Sequence, residues 1–110
     1  MGDANILSTE KPRIDVDKIR ADFPILSKEI GGKPLIYLDN GATTQKPQQV
    51  INRVSQFDSE EYGTVRRGSY RLCEHSTQLY EEARQKVADF LGAPTRQEIV
   101  FTSGTTQSIN

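Results

Sequence analysis

The stretch "EIVFTSGTTQSIN" (98–110) decides how this chain is read. Residues 98–102 carry the β-branched and aromatic side chains of a short buried strand, Ser103 and Gly104 make a small-residue turn, and Thr105 onward opens a helix. A helix entered through such a turn leaves its first backbone N–H groups without partners, with the positive end of the helix dipole behind them. A phosphate fits that geometry. Gly104 allows close approach, and the hydroxyls of Ser103, Thr105 and Thr106 add donors. The same residues also suit a plain cap, in which Thr105 or Thr106 closes its own helix.

Working outward, the preceding helix carries Leu79, Ala83, Val87, Phe90 and Leu91 on one side and stops at Gly92-Ala93-Pro94. That stripe reads as core. Before it, "GTVRRGSYRLCEHST" (63–77) has no clear period and is predicted as a loop, long enough to carry function. Upstream, Val50, Ile51, Val54 and Phe57 recur at helical spacing, with Thr43 or Thr44 as cap, Pro47 in the first turn and an end near Gly63. Leu35 to Leu38 form an apolar strand after a Gly31-Gly32 turn, and Val16, Ile19 and Phe23 mark a short helix stopped by Pro24. Residues 1–13 read as a loose polar arm. Short apolar strands between helices predict a layered α/β architecture with a largely parallel sheet. Two or three strands make a poor finished sheet, so residues 14–110 are expected to be the front of a larger domain.

The chain has 110 residues, 35% of them hydrophobic, which is lean for a self-sufficient core. Fourteen basic residues against fifteen acidic ones argue against general attraction to nucleic acid or an anionic membrane surface. Any anion must therefore be held locally. The single cysteine, Cys73, has no internal disulfide partner, and with His75 it supplies too few ligands for a zinc site. No metal is expected. The amino terminus lacks an apolar leader and no run reaches membrane-spanning length, so a cytoplasmic, soluble protein is expected.

Three further groups carry candidate chemistry. In "YLDNGATT" (37–44), Asp39 and Asn40 follow a strand end, where open α/β sheets place ligand contacts, although Asn40-Gly41 also reads as a turn. Arg66 and Arg67, in the Gly-bounded loop, can clamp a carboxylate or phosphate, or can be two solvated surface arginines. Cys73 and His75 form a thiolate–imidazole pair only if their segment is extended, and no third group orients them.

Together "IRADFPIL" (19–26), "GGKPLIYLDNGATTQKP" (31–47), "VRRGSYRL" (65–72) and "EIVFTSGTTQSIN" resemble, in order and spacing, the amino-terminal part of SUF-type cysteine desulfurases. These belong to the pyridoxal-phosphate-dependent class V aminotransferases, of the aspartate-aminotransferase-like fold type I. The resemblance covers about residues 15–110. It implies that Gly104, Thr105 and Thr106 cradle the phosphate of pyridoxal 5′-phosphate. It likewise implies that Asn40, Gly41 and Ala42 form the substrate-side strand end, that Arg66 and Arg67 lie in the active-site loop, and that Gln107 stands near the cofactor and partner subunit.

The implied activity of the whole enzyme takes sulfur from L-cysteine as an enzyme persulfide, leaving L-alanine. The sulfur then passes to an acceptor protein of the SUF system for iron–sulfur cluster assembly, and the enzyme works as a homodimer. Selenocysteine lyase or another class V reaction is an alternative, as is a non-catalytic binding or interaction module. The chain departs from the family where Arg66 and Tyr70 replace histidines, where Gln107 replaces glutamate and where Gly41 replaces alanine. In the family, the Schiff-base lysine and the nucleophilic cysteine fall beyond the equivalent of Asn110. Cys73 does not match that cysteine. No catalytic residue is thus expected within these 110 residues, which by themselves are expected to be inactive.

Overall fold

A computed structural model describes residues 13–110, and the expected arm at 1–13 lies outside them except for Arg13. The chain divides into two compact units, with the boundary between Val54 and Ser55.

In the first unit, α1 (Val16–Ala21) starts where Asp15 accepts a hydrogen bond from the Lys18 N–H at 3.0 Å, which satisfies one of the orphan donors of the first turn. Pro24 ends that run and opens a 3-10 turn, Pro24–Ser27, as the sequence leads one to expect. Gly31 and Gly32 both adopt positive φ, +61° and +74°, joining β1 (Glu29–Ile30) to β2 (Lys33–Pro34) in an antiparallel two-residue hairpin. It is the only sheet among the described residues.

The predicted strands are different. Residues 35–39 and 99–102 lie outside the hydrogen-bonded strands, and a 3-10 turn, Arg96–Glu98, occupies the expected start of the second. A strand is defined by its neighbours, and these apolar runs have none here; Ile36, Leu38 and Val100 are exposed, at 81%, 91% and 75%. The parallel pairing expected from their composition is therefore absent among the described residues.

Helix α2 (Gln48–Gln56) begins one residue after Pro47, whose carbonyl accepts from the N–H groups of Val50 and Ile51. Neither expected threonine caps it, because the Thr44 hydroxyl donates instead to the Asn40 carbonyl. The Gln48 N–H donates to the Asp22 carbonyl at 2.7 Å, tying α2 to the end of α1. The helix widens into a π turn, Phe57–Glu61, before Gly63.

In the second unit, α3 (Arg71–Leu91) is longer than the apolar stripe from Leu79 foretold. The reading of 63–77 as one loop is corrected: only about residues 62–70 are irregular. The expected core stripe is only partly covered, with Leu79 and Val87 half-buried and Phe90 and Leu91 88% and 65% exposed, whereas Cys73 and Ser76, one helical turn apart near the start of the helix, are buried. Among the described residues the fully buried ones are Cys73, Ser76 and Ala88, all on α3. Gly92 ends the helix at a φ of +71°, in the manner the sequence implied. The Arg96–Glu98 turn packs back on α3, and α4 (Thr105–Ile109) closes the described chain.

Candidate functional site

The turn that opens α4 is built around Gly104, which adopts φ +153° and ψ 174° at the N-cap position. Residues with a Cβ rarely take that conformation, so the glycine is required by the backbone itself. The site is also open, since a Cβ built at Gly104 meets nothing within 4 Å. No side chain caps the helix. The capping reading of Thr105 and Thr106 is thereby set aside: their hydroxyls have no hydrogen-bond partner among the described residues. Free hydroxyls beside uncapped first-turn N–H groups form a donor set suited to a phosphate, and the residues fit that group.

The rim of the turn is already occupied. Gln107 folds back so that its Oε1 accepts from both the N–H and the hydroxyl of Ser103, each at 2.7 Å. Ser108 donates to the Gly104 carbonyl and exchanges a hydrogen bond with Thr102. Gln107 thus acts as a brace for the turn. Nothing in the sequence distinguishes that use from a contact with a cofactor, because both call on the same carboxamide.

Asn40, Gly41 and Ala42 lie in the first unit, in a turn gathered on Asp39, whose carbonyl accepts from the N–H groups of Ala42 and Thr43, each at 3.1 Å. The Tyr37 hydroxyl donates to the Thr43 carbonyl and closes the same loop. The turn reading of Asn40-Gly41 is therefore correct. Asn40 also lines a groove of about 460 Å³ with Ile19, Phe23, Leu35, Leu38 and Thr44.

In the second unit the paired arginines separate. Arg66 is the one non-glycine residue at positive φ among the described residues, at 60°. Its N–H donates to the Thr77 hydroxyl at 2.9 Å, and its guanidinium pairs with Glu81 while lying 5.6 Å from the Tyr80 ring centroid. Arg67 is exposed and has no partner among the described residues. Only Arg67 is free to meet an anion, while Arg66 anchors the loop. Adjacent arginines in a sequence give no sign of that division of labour, which depends on a carboxylate fifteen positions away.

Cys73 and His75 do not form a pair. Both sit on α3, where a spacing of two residues turns side chains to nearly opposite sides. Cys73 is 1% exposed, whereas His75 faces Glu61, with Nε2 3.4 Å from Oε2. Among the described residues there is no group of histidine, cysteine and carboxylate side chains able to hold a metal ion.

The sequence that carries these segments is matched by known proteins. The chain belongs to the class-V aminotransferases, whose family model, "Aminotransferase class-V", matches residues 36–110. It is 53% identical over 96 residues to a "Probable cysteine desulfurase" of Mycolicibacterium paratuberculosis, covering 87% of this chain and 14% of that protein. It is 46% identical to the "Cysteine desulfurase" of Synechococcus elongatus, over 87% of this chain and 15% of the relative. Against the "Cysteine desulfurase" of Pectobacterium atrosepticum the identity is also 46%, over 86% of this chain and 23% of the relative. The chain thus spans between about one seventh and one quarter of the length of these relatives. Among the described residues no helix is long and apolar enough to cross a membrane.

Proposed function

We propose that these residues are the amino-terminal part of a class V aminotransferase domain that works as a cysteine desulfurase, with pyridoxal 5′-phosphate as its cofactor. The observation that carries this reading is the Gly104 turn, with an uncapped helix start and free Thr105 and Thr106 hydroxyls, in a chain about half identical to cysteine desulfurases. In this reading Gly104, Thr105 and Thr106 hold the cofactor phosphate, with Gln107 bracing the turn through Ser103. When bound, pyridoxal phosphate supplies an electron sink for breaking bonds at the substrate's α and β carbons.

The chain's own contribution is to bind and orient. Arg67 presents an unpaired guanidinium for a carboxylate or phosphate, on a loop whose other arginine is held by Glu81. Asn40, Gly41 and Ala42 form the substrate-side turn. The lysine and the sulfur-accepting cysteine are expected from parts of the protein that correspond to the rest of its relatives' length. In the full reading the substrate is L-cysteine, the products are L-alanine and an enzyme persulfide, and the protein is a cytoplasmic homodimer. It hands sulfur to a SUF-type acceptor for iron–sulfur cluster assembly.

The protein as its gene encodes it should be purified and examined for the visible absorbance of bound pyridoxal phosphate and for alanine release from cysteine. Cofactor uptake with alanine release is the expected result. Alanine release from selenocysteine alone would move the assignment to a selenocysteine lyase, and a protein with neither cofactor nor product would remove the reading altogether.

A further inference from the structure

Glu81 sits on α3 with its side chain 17% exposed and with three guanidinium groups around it. Arg66 reaches it from the loop, Arg84 from the next helical turn at 3.0 Å, and Arg96 from beyond the helix at 3.6 Å. Arg84 in turn donates from Nε to the Ile99 carbonyl at 3.0 Å. Ile99 lies five residues before Gly104, in the segment that runs into the phosphate turn. Tyr80 repeats the connection with apolar groups. Its ring carries the Arg66 guanidinium and stands nearly perpendicular to Phe101, with ring centroids 5.4 Å apart.

We propose that Glu81 is a positioning residue that links the Arg66–Arg67 loop to the segment entering the Gly104 turn, so that an anion bound at the turn and the order of the loop depend on each other. The inference rests on the reading that the turn holds pyridoxal phosphate. The physical argument is local. Arg66 occupies a backbone conformation that a residue with a Cβ adopts at a cost, and its ion pair and the Thr77 hydrogen bond hold it there. Without the Glu81 charge three cations face one another, and Arg66 has every reason to leave. Arg67 leaves with it. On the other side, Arg84 loses the carboxylate that fixes its side chain while it donates to Ile99, and the approach to the turn loosens. Coupling of two sites through a shared element is reciprocal, so ordering either end must favour the other.

The test uses the full-length protein stripped of cofactor, as wild type and as Glu81→Gln, Glu81→Asp and Glu82→Gln. Two quantities are read: the dissociation constant for pyridoxal phosphate, and the rate of tryptic cleavage after Arg66 and Arg67 with and without cofactor. In wild type the cofactor should slow cleavage. In Glu81→Gln cleavage should be about tenfold faster, the cofactor should no longer protect, and its dissociation constant should rise about fivefold or more. Glu81→Asp, which keeps the charge, should restore part of the protection. Glu82→Gln, whose exposed carboxylate meets only Gln78 among the described residues, should behave as wild type.

Equal protection and equal affinity in Glu81→Gln and wild type would overturn the inference while leaving the functional reading intact. A wild-type protein that takes up no pyridoxal phosphate would overturn both. Should Glu81→Gln fail to fold, Arg66→Gln breaks the same link from the loop side. A several-fold weaker cofactor affinity in that variant supports the coupling, and an unchanged affinity sinks it.

Discussion

Gly104 shows how much one residue can decide. Its φ of +153° turns the chain into α4 without a side-chain cap, and this keeps the first-turn donors available. Alanine there must either adopt the strained conformation, at about 1 to 3 kcal/mol, or reshape the turn. Gly104→Ala should therefore weaken pyridoxal phosphate binding by about tenfold or more, measured by titrating the cofactor-free full-length protein. Affinity equal to wild type would show that the turn does not hold the phosphate. Cys73 makes the opposite point. Being 1% exposed on the inner face of α3, it should resist alkylation in the native protein and react on unfolding. Cys73→Ala should lower stability by about 1 kcal/mol and leave the rate of alanine formation within about twofold of wild type. A large loss of turnover with unchanged folding would restore Cys73 as a catalytic candidate.

At the scale of elements, α3 organises the second unit. Thr77 accepts from the Arg66 N–H while donating to the Cys73 carbonyl, Ser76 donates to the Glu61 carbonyl, and Arg84 reaches Ile99. One helix face thus holds the end of the π turn, the arginine loop and the run into Gly104. In the first unit α1 is only six residues long and exposes Val16 and Ile19, so its stability depends heavily on its cap. Asp15→Ala should destabilise α1 by about 1 kcal/mol, seen as roughly fivefold faster amide exchange in residues 16–21 with exchange in α3 unaffected. If exchange in α1 did not change, packing rather than the cap would be holding the helix.

At the scale of the whole molecule, apolar surface is conspicuous. Leu38, Phe90, Ile36 and Ile109 are 80% to 91% exposed, while full burial among the described residues is confined to three small side chains. Surface of that kind normally meets other protein. Residues 1–110 expressed alone should bind a hydrophobic dye strongly and melt without a sharp transition, whereas the full-length protein should do neither. A cooperative transition in the isolated segment, with no dye binding, would instead favour a free-standing binding module.

Much of this was legible in the sequence because it depends on neighbours along the chain. Pro24, the Gly31-Gly32 turn, Pro47 before α2, the Gly92 stop and the glycine at the start of α4 all act within a few residues of themselves. The order of the four segments, read against a family, was enough to identify the class V aminotransferases. Other features depend on atoms far apart in sequence. The apolar runs at 35–38 and 99–102 have the composition of strands, yet pairing needs a partner backbone that composition does not supply. Helix α3 reached back to Arg71 because Cys73 and Ser76 are buried, a fact of packing. The separation of Arg66 from Arg67 follows from Glu81, which a helical turn of α3 brings beneath the loop. Local backbone chemistry was determined by the sequence itself; which charges are neutralised, and which remain free to meet a ligand, was decided only when the tertiary structure brought those side chains together.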